Sequence, residues 1–176
     1  MSNVVKSVEP DVDLDEVVKV LTEQHSDRLL AQAGAYFADD GIRRTAQQRI
    51  EDAVGPDTRV LVAHSLGTVV ACETLCRHPE WPITDFVTLG CPLAADVVLG
   101  FLEPAAENGR GEFPGGIRSW INVRNADDPA CLQLLADRFP GLVDRTVDNG
   151  HRVHDPEPYL NNWVTGAAVA AGLGRP

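Results

Sequence analysis

The stretch that decides the fold is Val60-Leu61-Val62-Ala63-His64-Ser65-Leu66-Gly67-Thr68-Val69-Val70-Ala71. An apolar run stops at a serine, a glycine follows two residues on, and a second apolar run begins. Arg59–Ala63 reads as a short strand buried on both faces, because β-branched residues dominate it and nothing alternates. From Leu66 to about Arg77, the residues Leu66, Val69, Val70 and Leu75 recur at helical spacing. The chain must therefore turn from strand to helix within a few residues. So tight a turn leaves no room for a side chain two positions before or after its apex, and Ala63 and Gly67 are small. Ser65 then projects from the C-terminal end of the strand with its hydroxyl exposed. This strand–turn–helix context is the one a G-x-S-x-G elbow requires, written here as A-H-S-L-G with alanine in place of the first glycine. The competing reading is a serine that only caps the helix.

Other elements follow on both sides. Asp13, with Glu16 at the third helical position, marks a helix start, and an apolar stripe from Leu14 continues to about Phe37. Ala38-Asp39-Asp40-Gly41 breaks it, and a polar helix follows from about Ile42 to Val54. Asn3–Val8 is long enough for one short strand at most. Beyond the elbow helix, Asp85–Leu89 is a second strand closed by Gly90. Residues 91–117, rich in Pro and Gly, form a long excursion that either lines the entrance above Ser65, with Phe101, Leu102 and Phe113, or runs over the surface away from the site. Trp120–Val123 is a third strand, followed by Asp127-Asp128-Pro129 and a short helix through Leu135. Leu142–Val147 is a fourth strand, then a loop with His151 and His154, then a last helix from about Glu157 to Ala171.

Strands alternating with helices imply an α/β fold, a mostly parallel sheet with helices on both faces. With 176 residues the expectation is a single domain, 1–176, of which 1–57 is mainly helical and 58–176 is the core. Acidic residues number 26 against 15 basic ones, a net charge of −11, which argues against nucleic acid as a partner. No apolar run is long enough to span a membrane, and no signal peptide is visible, so a cytoplasmic location is expected. Cys72, Cys76, Cys91 and Cys131 lack the partners of a metal site and read as free thiols, so neither metal nor cofactor is expected.

In a parallel sheet, sites form beyond the C-terminal ends of the strands. Ser65 follows the first clear strand, Asp127 and Asp128 the third, His151 and His154 the fourth. These types are complementary. A serine hydroxyl is a poor nucleophile until a base takes its proton, a histidine near neutrality can take and return it, and a carboxylate holds the imidazole. His64 is expected to point to the side of the elbow, and His25 and His78 to be solvated.

The blocks RVLVAHSLGTVVACETL, FVTLGCPL, WINVRNADDPACL and VDNGHRVHDPEPYL together resemble the α/β-hydrolase superfamily, and more narrowly bacterial lipase- or esterase-like serine hydrolases. The resemblance runs from about Tyr36 to the end. It implies Ser65 as nucleophile and Asp128, rather than Asp127, as the acid after the W-x-N-V strand. It implies His154, ahead of Tyr159-Leu160, as the base rather than His151, with the backbone N–H of Leu66 as one oxyanion donor. The implied activity is cleavage of an ester, thioester or amide on a small acyl substrate through an acyl-enzyme. A catalytically weak or inactive hydrolase-fold partner subunit, or an acyl transferase or cyclase using the same triad, are the alternatives.

One departure matters. Such hydrolases place an earlier strand beside the serine strand, and its loop gives the second oxyanion donor. Here the preceding residues look helical, so the core lacks the usual N-terminal strands. Arg59–Ala63 would then be an open apolar edge, which soluble proteins avoid. A homodimer, or a complex with a chain covering that edge, is expected.

Overall fold

The computed structural model describes residues 27–131 and 133–174. The expected strand over Asn3–Val8, the helix start at Asp13 with Glu16, and His25 lie outside these residues.

Two helices lead in, α1 (Asp27–Ala38) and α2 (Asp40–Ala53). The break between them is a single residue. Asp39 leaves helical geometry and its carboxylate accepts from the Gly41 and Ile42 N–H groups at 2.8 and 3.0 Å, satisfying donors that a helix start leaves orphaned. Next come β1 (Val60–His64), α3 (Leu66–Arg77), β2 (Asp85–Leu89), the one-turn α4 (Asp96–Leu99), β3 (Ser119–Asn125) and β4 (Val143–Val147). The chain closes on α5 (Pro156–Leu160) and α6 (Trp163–Leu173). The expected last helix is thus two helices, split where Asn162 caps α6 by accepting from Val164 N–H at 3.0 Å. The short helix expected through Leu135 is instead two 3-10 turns, Pro129–Cys131 and Leu135–Asp137. The second is held by the Asp144 carboxylate, which takes the Leu135 and Ala136 N–H groups and so competes with a continuing helix.

The four strands are all parallel, in the order β1-β2-β3-β4, with Val60 opposite Asp85, Asp85 opposite Ser119 and Ile121 opposite Val143. Right-handed crossovers that all step the same way place every connection on one face. One large core cluster has that composition. Leu61, Phe86 and Trp120 from the sheet pack with Val69 and Leu75 of α3, Ala46 and Ile50 of α2, and Leu93, Leu135 and Phe139 of the connections. The alternate residues Val62, Val87, Leu89 and Val123 face the other way and pack with Val164, Ala168 and Val169 of α6. α6 presses close to the sheet at Gly172, where a β-carbon would lie 2.6 Å from Val60 Cγ2 and 2.8 Å from Asp85 Cβ.

The apolar side chains of residues 91–117 expected above Ser65 are engaged with the core. Phe101, Leu102 and Phe113 pack into the large core cluster, with Phe113 5.5 Å from the Trp120 ring and Phe101 5.4 Å from Phe37. The reason is topological. This segment is the crossover from the C-terminal end of β2 back to the N-terminal end of β3, so its apolar side chains cover the sheet face on the way.

Candidate active site

Four strand ends converge on one place. Ser65 follows β1, Gly90 follows β2, Asp128 lies just beyond β3, and His154 is on the loop between β4 and α5. Ser65 has φ 53° and ψ −132°, a left-handed φ that a side chain rarely adopts. Its N–H continues the β1 ladder onto Leu89 O at 3.0 Å, and its carbonyl accepts from Thr68 N–H at 2.9 Å as α3 begins. The strained turn is therefore held from both sides. Ser65 occupies the cap position of α3, yet its hydroxyl makes no capping bond. The hydroxyl meets His154 Nε2 at 2.8 Å instead, which decides against the capping reading.

His154 Nδ1 lies 2.9 Å from both oxygens of Asp128. A carboxylate can only accept, so Nδ1 carries the proton and Nε2 is left to accept from Ser65 Oγ–H. Asp128 is fully buried. Its Oδ1 also accepts from Ala130 N–H at 2.9 Å and its Oδ2 from the Tyr159 hydroxyl at 2.7 Å. Burial opposes the charge, but the bonds from His154, Tyr159 and Ala130 outweigh it and hold the carboxyl below its ordinary value. Asp127, by contrast, is exposed, and its N–H turns back onto Asn125 Oδ1 at 3.1 Å. His151 is exposed as well.

The ring of His64 packs 4.9 Å from that of His154, and its Nε2–H donates to the His154 carbonyl at 2.8 Å. Burial, then the neighbouring His154, push the His64 pKa down, so it supports the loop as a neutral ring. His78 is not simply solvated. It meets Glu80 and Glu51 and stacks on Trp81 at 4.3 Å. All four cysteines are free. Cys91 and Cys131, which flank the site, have thiols pushed up to about 12, chiefly by burial, so neither is a thiolate at neutral pH.

Leu66 opens α3, where its N–H has no carbonyl one turn back to accept it. Among the described residues no strand lies on the far side of β1. Gly67 departs from the expected crowding, since a β-carbon there would meet nothing within 4 Å. It floors a groove of about 650 Å³ between α2 and α3, lined also by Ile42, Ala46, Ile50 and Val70. The described residues contain no group of three or more His, Cys, Asp or Glu side chains suited to a metal ion.

Sequence reasoning missed two residues here. Tyr159 entered only as a landmark for His154, and Gly90 only as the end of a strand. Gly90 has φ +53°, and a β-carbon on it would lie 2.9 Å from Asp128 Oδ2, 3.2 Å from Tyr159 Cε2 and 3.3 Å from His154 Nδ1. The signal available in sequence was a glycine directly after a buried strand. Compared with protein-family models, with curated proteins and with solved structures, the chain matches none.

Proposed function

We propose that this chain is a serine hydrolase of α/β-hydrolase type that cleaves an ester, thioester or amide through an acyl-enzyme. The observation that carries the reading is the unbroken relay Ser65 Oγ, His154 Nε2, His154 Nδ1, Asp128 carboxylate, with the serine strained in an elbow and not engaged as a cap. Ser65 Oγ attacks the acyl carbonyl carbon while its proton passes to His154 Nε2. Asp128 stabilises the imidazolium that forms. The Leu66 N–H faces the developing oxyanion. Collapse of the tetrahedral adduct breaks the bond to the leaving group, which takes the proton from Nε2. Water then repeats the sequence on the acyl-enzyme and releases the acid. An acyl acceptor other than water would make the same unit a transferase.

A fluorophosphonate probe tests this. Ser65 becomes phosphonylated in the folded protein, and Ser65→Ala abolishes the labelling. Folded wild-type protein that does not react overturns the proposal. A second reading, a weak hydrolase completed by association, is favoured by one observation: among the described residues β1 ends the sheet, with no strand beyond it to carry a second oxyanion donor. Lack of one such donor lowers turnover by about 10²–10³.

A further inference from the structure

We propose that Tyr159 is a positioning residue for this chemistry: its hydroxyl, held by the Asn125 N–H, donates to Asp128 Oδ2 and so fixes the plane and charge of the carboxylate that faces His154. The role in catalysis rests on the hydrolytic reading above.

Tyr159 is fully buried on α5, five residues after His154. The direction of its bonds is determined by its neighbours. Asn125 N–H can only donate, and it reaches the Tyr159 oxygen at 3.0 Å. That engages a lone pair and leaves the phenolic proton for Asp128 Oδ2 at 2.7 Å. Cys131 Sγ, at 3.7 Å, is a weaker neighbour of the same oxygen. The two carboxylate oxygens are thereby anchored separately, Oδ1 by Ala130 N–H and Oδ2 by Tyr159. Both anchors together prevent rotation about the Cβ–Cγ bond, and the Nδ1–H of His154 is presented with a fixed acceptor.

A second observation points the same way. The missing β-carbon of Gly90 would fall against Asp128, Tyr159 and His154 at once. The end of β2 is open at the one spot where the three groups meet. The titratable groups facing Asp128 are His154 from the β4–α5 loop, Tyr159 from α5, Cys131 from the 3-10 turn and His64 from β1. Cys131 stays a thiol and burial favours neutral His64, so among these groups His154 and Tyr159 act with the Ala130 N–H, against burial, to hold the Asp128 carboxyl down.

Tyr159→Phe keeps the ring and removes the donor. Carbon NMR of carboxyl-labelled aspartate should show Asp128 titrating at higher pH in the variant. Replacing Tyr159 with a fluorinated tyrosine, whose hydroxyl is more acidic, should move that titration the opposite way without removing the side chain. For reaction of Ser65 with a fluorophosphonate, Tyr159→Phe should slow labelling by roughly 10- to 100-fold, the scale of one hydrogen bond to a charged group, and should move the acid limb of its pH profile upward. An Asp128 titration that is identical in wild type, Phe variant and fluorotyrosine protein overturns the inference, whatever the activity. A titration that shifts as expected while wild-type Ser65 stays inert supports the clamp and overturns the hydrolytic reading instead.

Discussion

Asp128 illustrates how much one residue holds at this site. Its carboxyl is kept below the ordinary 3.8 in the folded chain despite burial. A group whose folded pKa is depressed stabilises the fold above its unfolded pKa, and that contribution is lost as pH falls through the folded value. Denaturant melts of wild type and Asp128→Asn should therefore differ at neutral pH, and the difference should shrink below about pH 4. If turnover is measured, Asp128→Asn should lower kcat by about 10⁴, the scale seen when an amide replaces a triad acid. Gly90→Ala combines a left-handed φ with a contact of 2.9 Å to Asp128 Oδ2. It should impair labelling of Ser65 more than it impairs folding, read by comparing probe reaction rates with melting midpoints.

Among the elements, α2 departs most from its appearance in sequence. Its residues read as polar, yet Arg43 and Gln47 are buried. They converge with Tyr36 of α1 on Glu73 of α3, itself 1% exposed. Glu103 N–H and the Phe101 carbonyl tie the β2–β3 crossover to the same cluster. Every donor has its acceptor, so the buried charge is compensated. Removing one partner leaves the others unpaired in the interior, and that asymmetry is expensive. Glu73→Ala should cost about 3–5 kcal/mol, seen as a lower urea midpoint, and should loosen the packing of α1 and the crossover segment together. An isolated sequence window cannot show this, because the partners of Glu73 lie 26 or more residues away from it.

For the molecule as a whole, the open question is the β1 side. Strand β2 is buried along its entire length, whereas all five residues of β1 are half-buried. Arg59 O and Ser65 N point to β2, so by strand alternation the backbone groups of Val60, Val62 and His64 point outward. Among the described residues nothing pairs with them. Association through this edge is the expected outcome. Light scattering at micromolar concentration should report a dimer or a complex, and hydrogen exchange should slow at Val62 as concentration rises. A monomer whose Val62 amide is protected at every concentration would show that the chain covers the edge itself. No described helix is long and apolar enough to cross a membrane.

The sequence by itself determined the parallel α/β sheet and the succession of its strands along the chain, while their neighbour order in the sheet came from the structure. Short β-branched runs and helical periodicity are local signals, and parallel strands need crossovers whatever the side chains. It also determined which chemical types arrive at the strand ends, because in a parallel sheet those ends share one edge. The residues by themselves left Asp127 or Asp128 and His151 or His154 open, and the resemblance pointed to Asp128 and His154; the tertiary structure brings His154 to Ser65 and Asp128 to His154. Asp127 and Asp128 are neighbours in sequence, but only Asp128 turns inward, and only burial creates the need for the donors that gather around it. Tertiary structure likewise decided the clamp from Tyr159, the vacant corner at Gly90 and the buried Glu73 cluster. Each depends on groups distant in the chain coming within hydrogen-bond reach, and no periodicity in the sequence encodes that approach.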